Sequence, residues 1–294
     1  MTAHAQTRAW SSADAAGVPL AEGEVLLWWL GQAGFLLRGA GTTLLVDPYL
    51  TSTGARRFPP PFPAAEAAEV AAGVDAVLVT HEHGDHLDVD VARAFAEAGS
   101  AARWVVPEPV VDRLAALGIR RELIEPARPG RPLTVGTVRV DPLPAHHGVD
   151  MADAYGTGAE LSGGLVRFLG YVVDLGGTRI YHSGDCIDYP GLAEELARLE
   201  AHVVLLPING RDAEREARNI VGNMSAEEAV DVAVRAGAEV LVPMHWDMFE
   251  GNPGDPSRAV ALVERDHPQL TVLVPSKARP IGVRRFGPRR SGVA

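Results

Sequence analysis

The sequence predicts an α/β fold of two packed mixed sheets with helices outside, and three observations predict it. Short apolar runs bounded by glycine and proline recur along the whole chain. After about residue 76 they alternate with segments of helical period. The same order, strands first and then strand–helix units, occurs twice, once from Val25 and again from Thr137. With 294 residues and 47% hydrophobic side chains, the chain can bury a sizeable core, and the length suits one large α/β domain or two smaller ones.

Val25–Leu30, Phe35–Leu37 and Thr43–Val46, separated by glycines at 31, 34, 39 and 41, have the punctuation of a meander of hairpins. A proline-rich stretch from Pro48 to Pro63 follows; loops of that length commonly do something, such as covering a site. Ala76–Val79 reads as a buried strand, Val89–Ala98 as a helix, Trp104–Val106 as a strand and Pro109–Leu117 as a helix stopped by Gly118. In the second half Thr137–Leu143, Leu165–Leu175 and Thr178–His182 are strand-like, the last two joined at Gly176-Gly177. Leu192–Leu199 is helical and Val203–Leu206 a strand. Ser225 and Glu228 have capping-box spacing and open a helix that ends near Gly237. Val240–Met244, Pro256–Glu264 and Leu270–Val274 complete the alternation as strand, helix and strand.

Composition narrows the function classes. The 27 basic and 38 acidic side chains give a net charge of −11, which argues against nucleic acid as a partner. Cys186, the one cysteine, has no internal partner, and a reducing cytoplasm is the expected location. Residues 1–10 lack the apolar stretch of a signal peptide. The run Val25–Leu37 is too short and too interrupted to span a bilayer, so no membrane partner is expected. Residues 275–294 carry Lys277 and five arginines with no acid, and are expected to form a solvated C-terminal strand and a basic tail.

The chemistry concentrates where Ala76–Val79 runs out. His81, Glu82, His83, Asp85 and His86 follow directly, with Gly84 permitting a tight turn. Imidazole and carboxylate donors so closely spaced can point at one small volume and suit a borderline divalent metal such as zinc. Three further segments offer donors, each at the end of an apolar strand: His146-His147, His182 to Asp185, and His245 beside Trp246. Strand ends hold side chains rigidly beside loops, where α/β enzymes build sites.

On His81-x-His83-x-Asp85-His86, a later histidine, Asp185 in a Ser-Gly-Asp turn and His245, the chain resembles the metallo-β-lactamase superfamily. More narrowly it is similar to bacterial L-ascorbate-6-phosphate lactonases and their relatives. Tyr181–Asp185 (YHSGD), Pro207–Asp212 (PINGRD), Asn219–Met224 (NIVGNM) and Pro243–Phe249 (PMHWDMF) support this narrower likeness. The resemblance implies a four-layer αββα sandwich over residues 23–275, with residues 1–22 as an N-terminal extension, poorly ordered or packed on the surface, and 276–294 as the basic strand or tail. It implies two divalent ions, zinc first and manganese as the alternative. His81, His83 and His147 would hold one ion, with His147 preferred over His146. Asp85, His86 and His245 would hold the other, and Asp185 would bridge.

Two ions about 3.5–4 Å apart can share a water, lower its pKa and hold the resulting hydroxide for attack. Asp85 is the expected catalytic side chain, orienting that hydroxide or moving a proton to the leaving oxygen. Glu82 is expected to point away. The implied activity is opening of a cyclic ester, with a sugar-acid lactone such as L-ascorbate 6-phosphate first. A phosphodiesterase or amide hydrolase on the same site is the alternative, and a scaffold without activity comes last. Asn209, Arg211, Asn219, Asn223 and Trp246 are candidate substrate contacts. Guanidinium groups there would suit an anionic small molecule. A homo-oligomer is implied by the resemblance alone.

Overall fold

A computed structural model describes residues 12–50, 70–71, 73–148, 160–161, 165–218, 220 and 222–285. The first sheet contains β1 (Glu24–Gly31), β2 (Gly34–Gly39), β3 (Thr42–Val46), β4 (Ala76–Leu78), β5 (Arg103–Pro107) and β6 (Ile124–Ala127) in that order, with β16 (Ile281–Arg284) beside β1. The second contains β7 (Leu133–Val135), β8 (Val138–Pro144), β11 (Leu169–Leu175), β12 (Thr178–His182), β13 (Val203–Pro207), β14 (Val240–Met244) and β15 (Thr271–Val272), also in chain order. The strands β9 (Glu160–Leu161) and β10 (Leu165–Val166) pair separately.

Each sheet starts as an antiparallel meander and continues with parallel strands, the repetition that the two halves of the sequence anticipate. Antiparallel neighbours need only tight turns, whereas parallel ones need a crossover, which the helices supply. At the β11–β12 turn, Gly176 and Gly177 have φ of 70° and 92°, as a two-residue turn with both central residues left-handed requires.

Period-two alternation sorts the first sheet into two apolar faces. Trp28, Leu36 and Val77 pack against Val91 and Phe95 of the helix Val89–Glu97 and Leu114 of the helix Val111–Ala116. Leu27, Phe35 and Leu44 face Val140, Tyr171 and Leu205 of the second sheet. The other face of that sheet, with Val204 and Leu241, is covered by Leu196 of the helix Leu192–Arg198, Ala229 of Ala226–Arg235 and Val263 of Pro256–Asp266. Three apolar interfaces thus separate four layers, and the fold class is the predicted αββα sandwich. The capping box forms as expected: Glu228 N–H donates to Ser225 Oγ and Ser225 N–H to Glu228 Oε2.

Some expected elements differ. The helix expected over Pro109–Leu117 opens as a 3-10 turn at Glu108–Val110 and becomes α-helical from Val111 to Ala116. The strand expected over Leu165–Leu175 breaks at Arg167-Phe168, where Phe168 turns its ring to within 5.2 Å of the ring of His81. The short strand β6 escapes the sequence pattern because Glu125 and Pro126 interrupt its apolar period, and β7 because it is only three residues long. At the termini, Ala15 in the helix Ser12–Gly17 is buried, and β16 pairs antiparallel with β1. Most of the proline-rich stretch and the loop 149–159 lie outside the described residues. Among those described, no helix is long and apolar enough to cross a membrane.

Candidate metal centre

His81–His86 follow β4, His147 follows β8, Asp185 follows β12 and His245 follows β14, so every candidate ligand sits just beyond the carboxyl end of its strand, where open α/β sheets bind ligands. The chain brings them together as two groups. His81, His83, His147 and Asp185 form one, and Asp85, His86 and His245 the other; within each, one donor atom per residue lies within 4.8 Å of the rest. Asp185 faces both groups. Its Oδ1 is 3.3 Å from His86 Nε2 and 3.0 Å from His245 Nε2, and its Oδ2 is 3.3 Å from His147 Nε2. Asp85 Oδ2 is 3.4 Å from His245 Nε2. The neighbouring His146 instead stacks its ring on Tyr189 at 4.0 Å.

Buried partners orient these groups. Asp47 Oδ1 accepts from Thr80 N–H at 2.8 Å, and its Oδ2 accepts from Thr80 Oγ1 at 2.6 Å and lies 2.7 Å from His86 Nδ1. A carboxylate on the far nitrogen of a ligating histidine fixes the tautomer and ring orientation. His182 Nε2 donates to the Ala33 carbonyl at 2.7 Å, leaving Nδ1 to accept from Gly184 N–H at 3.1 Å. Gly184 has φ of 60°, and a Cβ there would stand 2.7 Å from Thr80 Cβ; only glycine lets the turn carrying Asp185 close on Thr80. Three residues around the centre, Gln32, Asp47 and His245, also adopt left-handed backbone, with φ of 55°, 44° and 59°.

The electrostatics divide the histidines. Burial, reinforced by neighbouring imidazoles, pushes His81 well below its ordinary value and His83 down to about 4. His86 is raised despite its burial, because Asp185, Asp85 and Asp47 surround it. Burial works to raise the carboxyls of Asp85 and Asp185, but the facing histidines hold both below the ordinary range. His86 Nε2 and Asp185 Oδ1 are buried and make no hydrogen bond. Buried polar atoms are normally satisfied, so donors converging on one another without bonds have the arrangement of a cation site. The histidine and aspartate donor set fits a divalent metal ion.

A model of the beta-lactamase superfamily domain matches residues 42–246. The chain belongs to the beta-lactamase superfamily. It is 25% identical over 289 residues to a probable L-ascorbate-6-phosphate lactonase of Salmonella paratyphi B, covering 89% of this chain and 80% of the relative. Two similar solved structures are Igni18, a metallo hydrolase of the archaeon Ignicoccus hospitalis, and an isothiocyanate hydrolase from Delia radicum gut bacteria. The first has a TM-score of 0.65 at 21% identity, covering 90% of this chain and all of that one. The second has a TM-score of 0.68 at 17% identity, covering 89% and 100%. Both share the superfamily fold.

In this superfamily member a cleft of about 570 Å³ opens over the two ligand groups, with Ile220, Asn223, Phe249 and Asn252 among its walls. Glu82 belongs to neither ligand group, as expected; it lines the cleft and accepts from Arg113 at 3.1 Å and Arg167 at 2.9 Å. Of the candidate substrate contacts, Asn223 lines the cleft. Asn209 and Arg211 line a separate cavity of about 410 Å³, and Arg211 is held by Glu228 at 2.6 Å. Asn223 Nδ2 donates to Asn209 Oδ1 at 3.2 Å, so this pair joins the two cavities. Trp246 stacks on Trp29 at 5.1 Å. Asn219 lies outside the described residues. Cys186 is buried, and burial pushes its thiol up to about 12.

The sequence reading missed Gln32, Asp47, Asp247 and Lys277. Asp47 carried a usable signal, since it ends an apolar strand just as the donor segments do. The other three are joined to the centre by long-range contacts that no local pattern announces.

Proposed function

We propose that the chain is a hydrolase that opens cyclic esters at a centre of two divalent ions, zinc first and manganese as the alternative. His81, His83 and His147 would hold the first ion, and Asp85, His86 and His245 the second, with Asp185 shared. The observation that carries this reading is the position of Asp185, whose two oxygens face histidines of the two groups at 3.0–3.3 Å. When bound, such ions supply a water of lowered pKa and a Lewis acid for the carbonyl oxygen. Asp85, which lines the cleft, would orient the attacking water and hold a proton for the leaving alkoxide. Asn223, Asn252 and Phe249 line the cleft, and would offer a bound ring polar contacts and an apolar face. Similarity to an ascorbate-phosphate lactonase supports a sugar-acid lactone as the substrate class.

The test is to incubate zinc- or manganese-loaded protein with L-ascorbate 6-phosphate and follow it by phosphorus NMR. The expected result is ring opening with the phosphate ester intact. An unchanged spectrum from protein shown to hold two ions overturns this substrate, and release of inorganic phosphate overturns the lactonase reading.

Ion uptake should also depend on pH. Burial disfavours the protonated ring of His245, but Asp185 and Asp85 more than offset this and raise it to about 9. In the ion-free protein that proton stabilises the fold fully below about 6.5, and the contribution is lost as pH rises through 9. An ion must displace the proton in this window. Its affinity should therefore increase by up to about tenfold per pH unit per proton displaced as pH rises towards 9. Calorimetric titration between pH 6.5 and 9.5 measures this, and an affinity independent of pH from 7 to 9 contradicts it.

A further inference from the structure

We propose that Gln32 is a positioning residue for the second ion, locked in place by Asp247 and Lys277 from the far end of the chain. The inference rests on the two-ion reading above. Gln32 sits in the turn between β1 and β2 and is almost fully buried. Its side-chain amide donates to Asp85 Oδ2 at 2.9 Å, and the same nitrogen lies 2.8 Å from His245 Nε2. Its carbonyl accepts from His245 N–H at 2.9 Å and from Trp29 Nε1 at 3.0 Å. One residue therefore touches the carboxylate of one proposed ligand and both the ring and the backbone of another.

Gln32 is itself held. Its N–H donates to Asp247 Oδ1 at 3.0 Å, and Lys277 Nζ donates to Asp247 Oδ2 at 2.6 Å. Asp247 is buried, so the ammonium supplies the counter-charge that an enclosed carboxylate needs. Lys277 is the only lysine in the sequence. Its compact ammonium pairs with Asp247 while lying 5.4 Å from the centre of the Trp29 ring, and its carbonyl accepts from Trp28 Nε1 at 3.0 Å. This makes a continuous chain from Lys277 through Asp247 and Gln32 to Asp85 and His245.

The chemistry of the contact explains its use. A carboxylate oxygen has two acceptor directions. The Gln32 amide occupies one on Asp85 Oδ2 and leaves the other for a cation. An ion would displace the proton from His245 Nε2 and take that lone pair, while the Asp85 bond persists and keeps the carboxylate from rotating away. Partners of this kind typically change metal affinity 10–100-fold when removed.

The deciding variant is Gln32→Met, which keeps length and apolar volume and deletes the amide. Cobalt(II) is titrated into the metal-stripped full chain and followed by visible absorption, with His245→Ala identifying the equivalent that depends on the second group. The expected result is a loss of at least about tenfold in affinity for that equivalent, with the other unchanged within twofold. Lys277→Met should weaken the same equivalent by less. Two equivalents bound as in the wild type, or a lowered melting temperature with both affinities intact, would overturn the proposal. Should Gln32→Met fail to fold, Gln32→Asn gives the same readout, because asparagine tolerates left-handed backbone but falls a methylene short of Asp85. A wild-type chain that takes up only one ion sinks the two-ion reading. The role of Gln32 is then decided by whether that single ion weakens tenfold in Gln32→Met.

Discussion

Asp185→Asn is expected to lower kcat/KM for the lactone substrate by on the order of 10³, about 4 kcal/mol of transition-state stabilisation. Asparagine keeps the shape of the side chain but replaces one oxygen with an amino group that cannot ligate a cation. The carboxylate faces His86 and His245 on one side and His147 on the other, so the change withdraws a ligand from one ion and charge from both. His86 and His245 also lose the counter-charge that raises them, and a bound ion gains less from the site. Metal content per chain and turnover, measured together on the purified variant, are the readout. Two tightly held ions with undiminished turnover would contradict the assigned role. The scaffold reading predicts unchanged function after this substitution.

The second large effect is expected at Asp47, which does not face the cleft. Asp47→Ala removes the acceptor of three groups at once, Thr80 N–H, the Thr80 hydroxyl and the Nδ1 of His86, of which the hydroxyl keeps His81 Nδ1 within 3.0 Å. Each is buried, and orphaned buried donors cost about 1–3 kcal/mol apiece before relaxation. A net destabilisation of about 3 kcal/mol follows, or a fall of roughly 6–12 °C in the melting temperature of a domain this large. The same substitution frees the His86 ring to rotate, so affinity for the ion it would hold should fall about 10–100-fold. Thermal unfolding with and without added zinc separates the two effects. If both forms melt within 2 °C of the wild type, the Asp47 network carries neither.

The legible part of the site was the part written in short range. His81 to His86 occupy one loop, and their spacing alone makes a cation site plausible. His147, Asp185 and His245 each mark the end of an apolar run, and the parallel order of strands carries those ends to one edge. The four layers followed from strand alternation, since Leu26 and Leu27 must face opposite ways and both are apolar. The illegible part is long range. Gln32 reaches Asp247 across 215 positions, and nothing around either residue signals the other. Arg211 shows the converse error of scale. Its place in PINGRD suggested anion recognition, but Glu228, 17 positions on in a capping box, takes its guanidinium.

Left-handed backbone at residues other than glycine costs about 1–2 kcal/mol each, and Gln32, Asp47 and His245 incur that cost within one small volume. Elsewhere among the described residues only Ala40 and Glu200 do so. A glycine at any of the three would relax the main chain and erase the side chain the centre uses. The molecule thus holds its greatest conformational tension where its chemistry is proposed. At Asp47 that relief is smaller than the cost of losing its buried hydrogen bonds, so the polar network itself holds the strained turn in place.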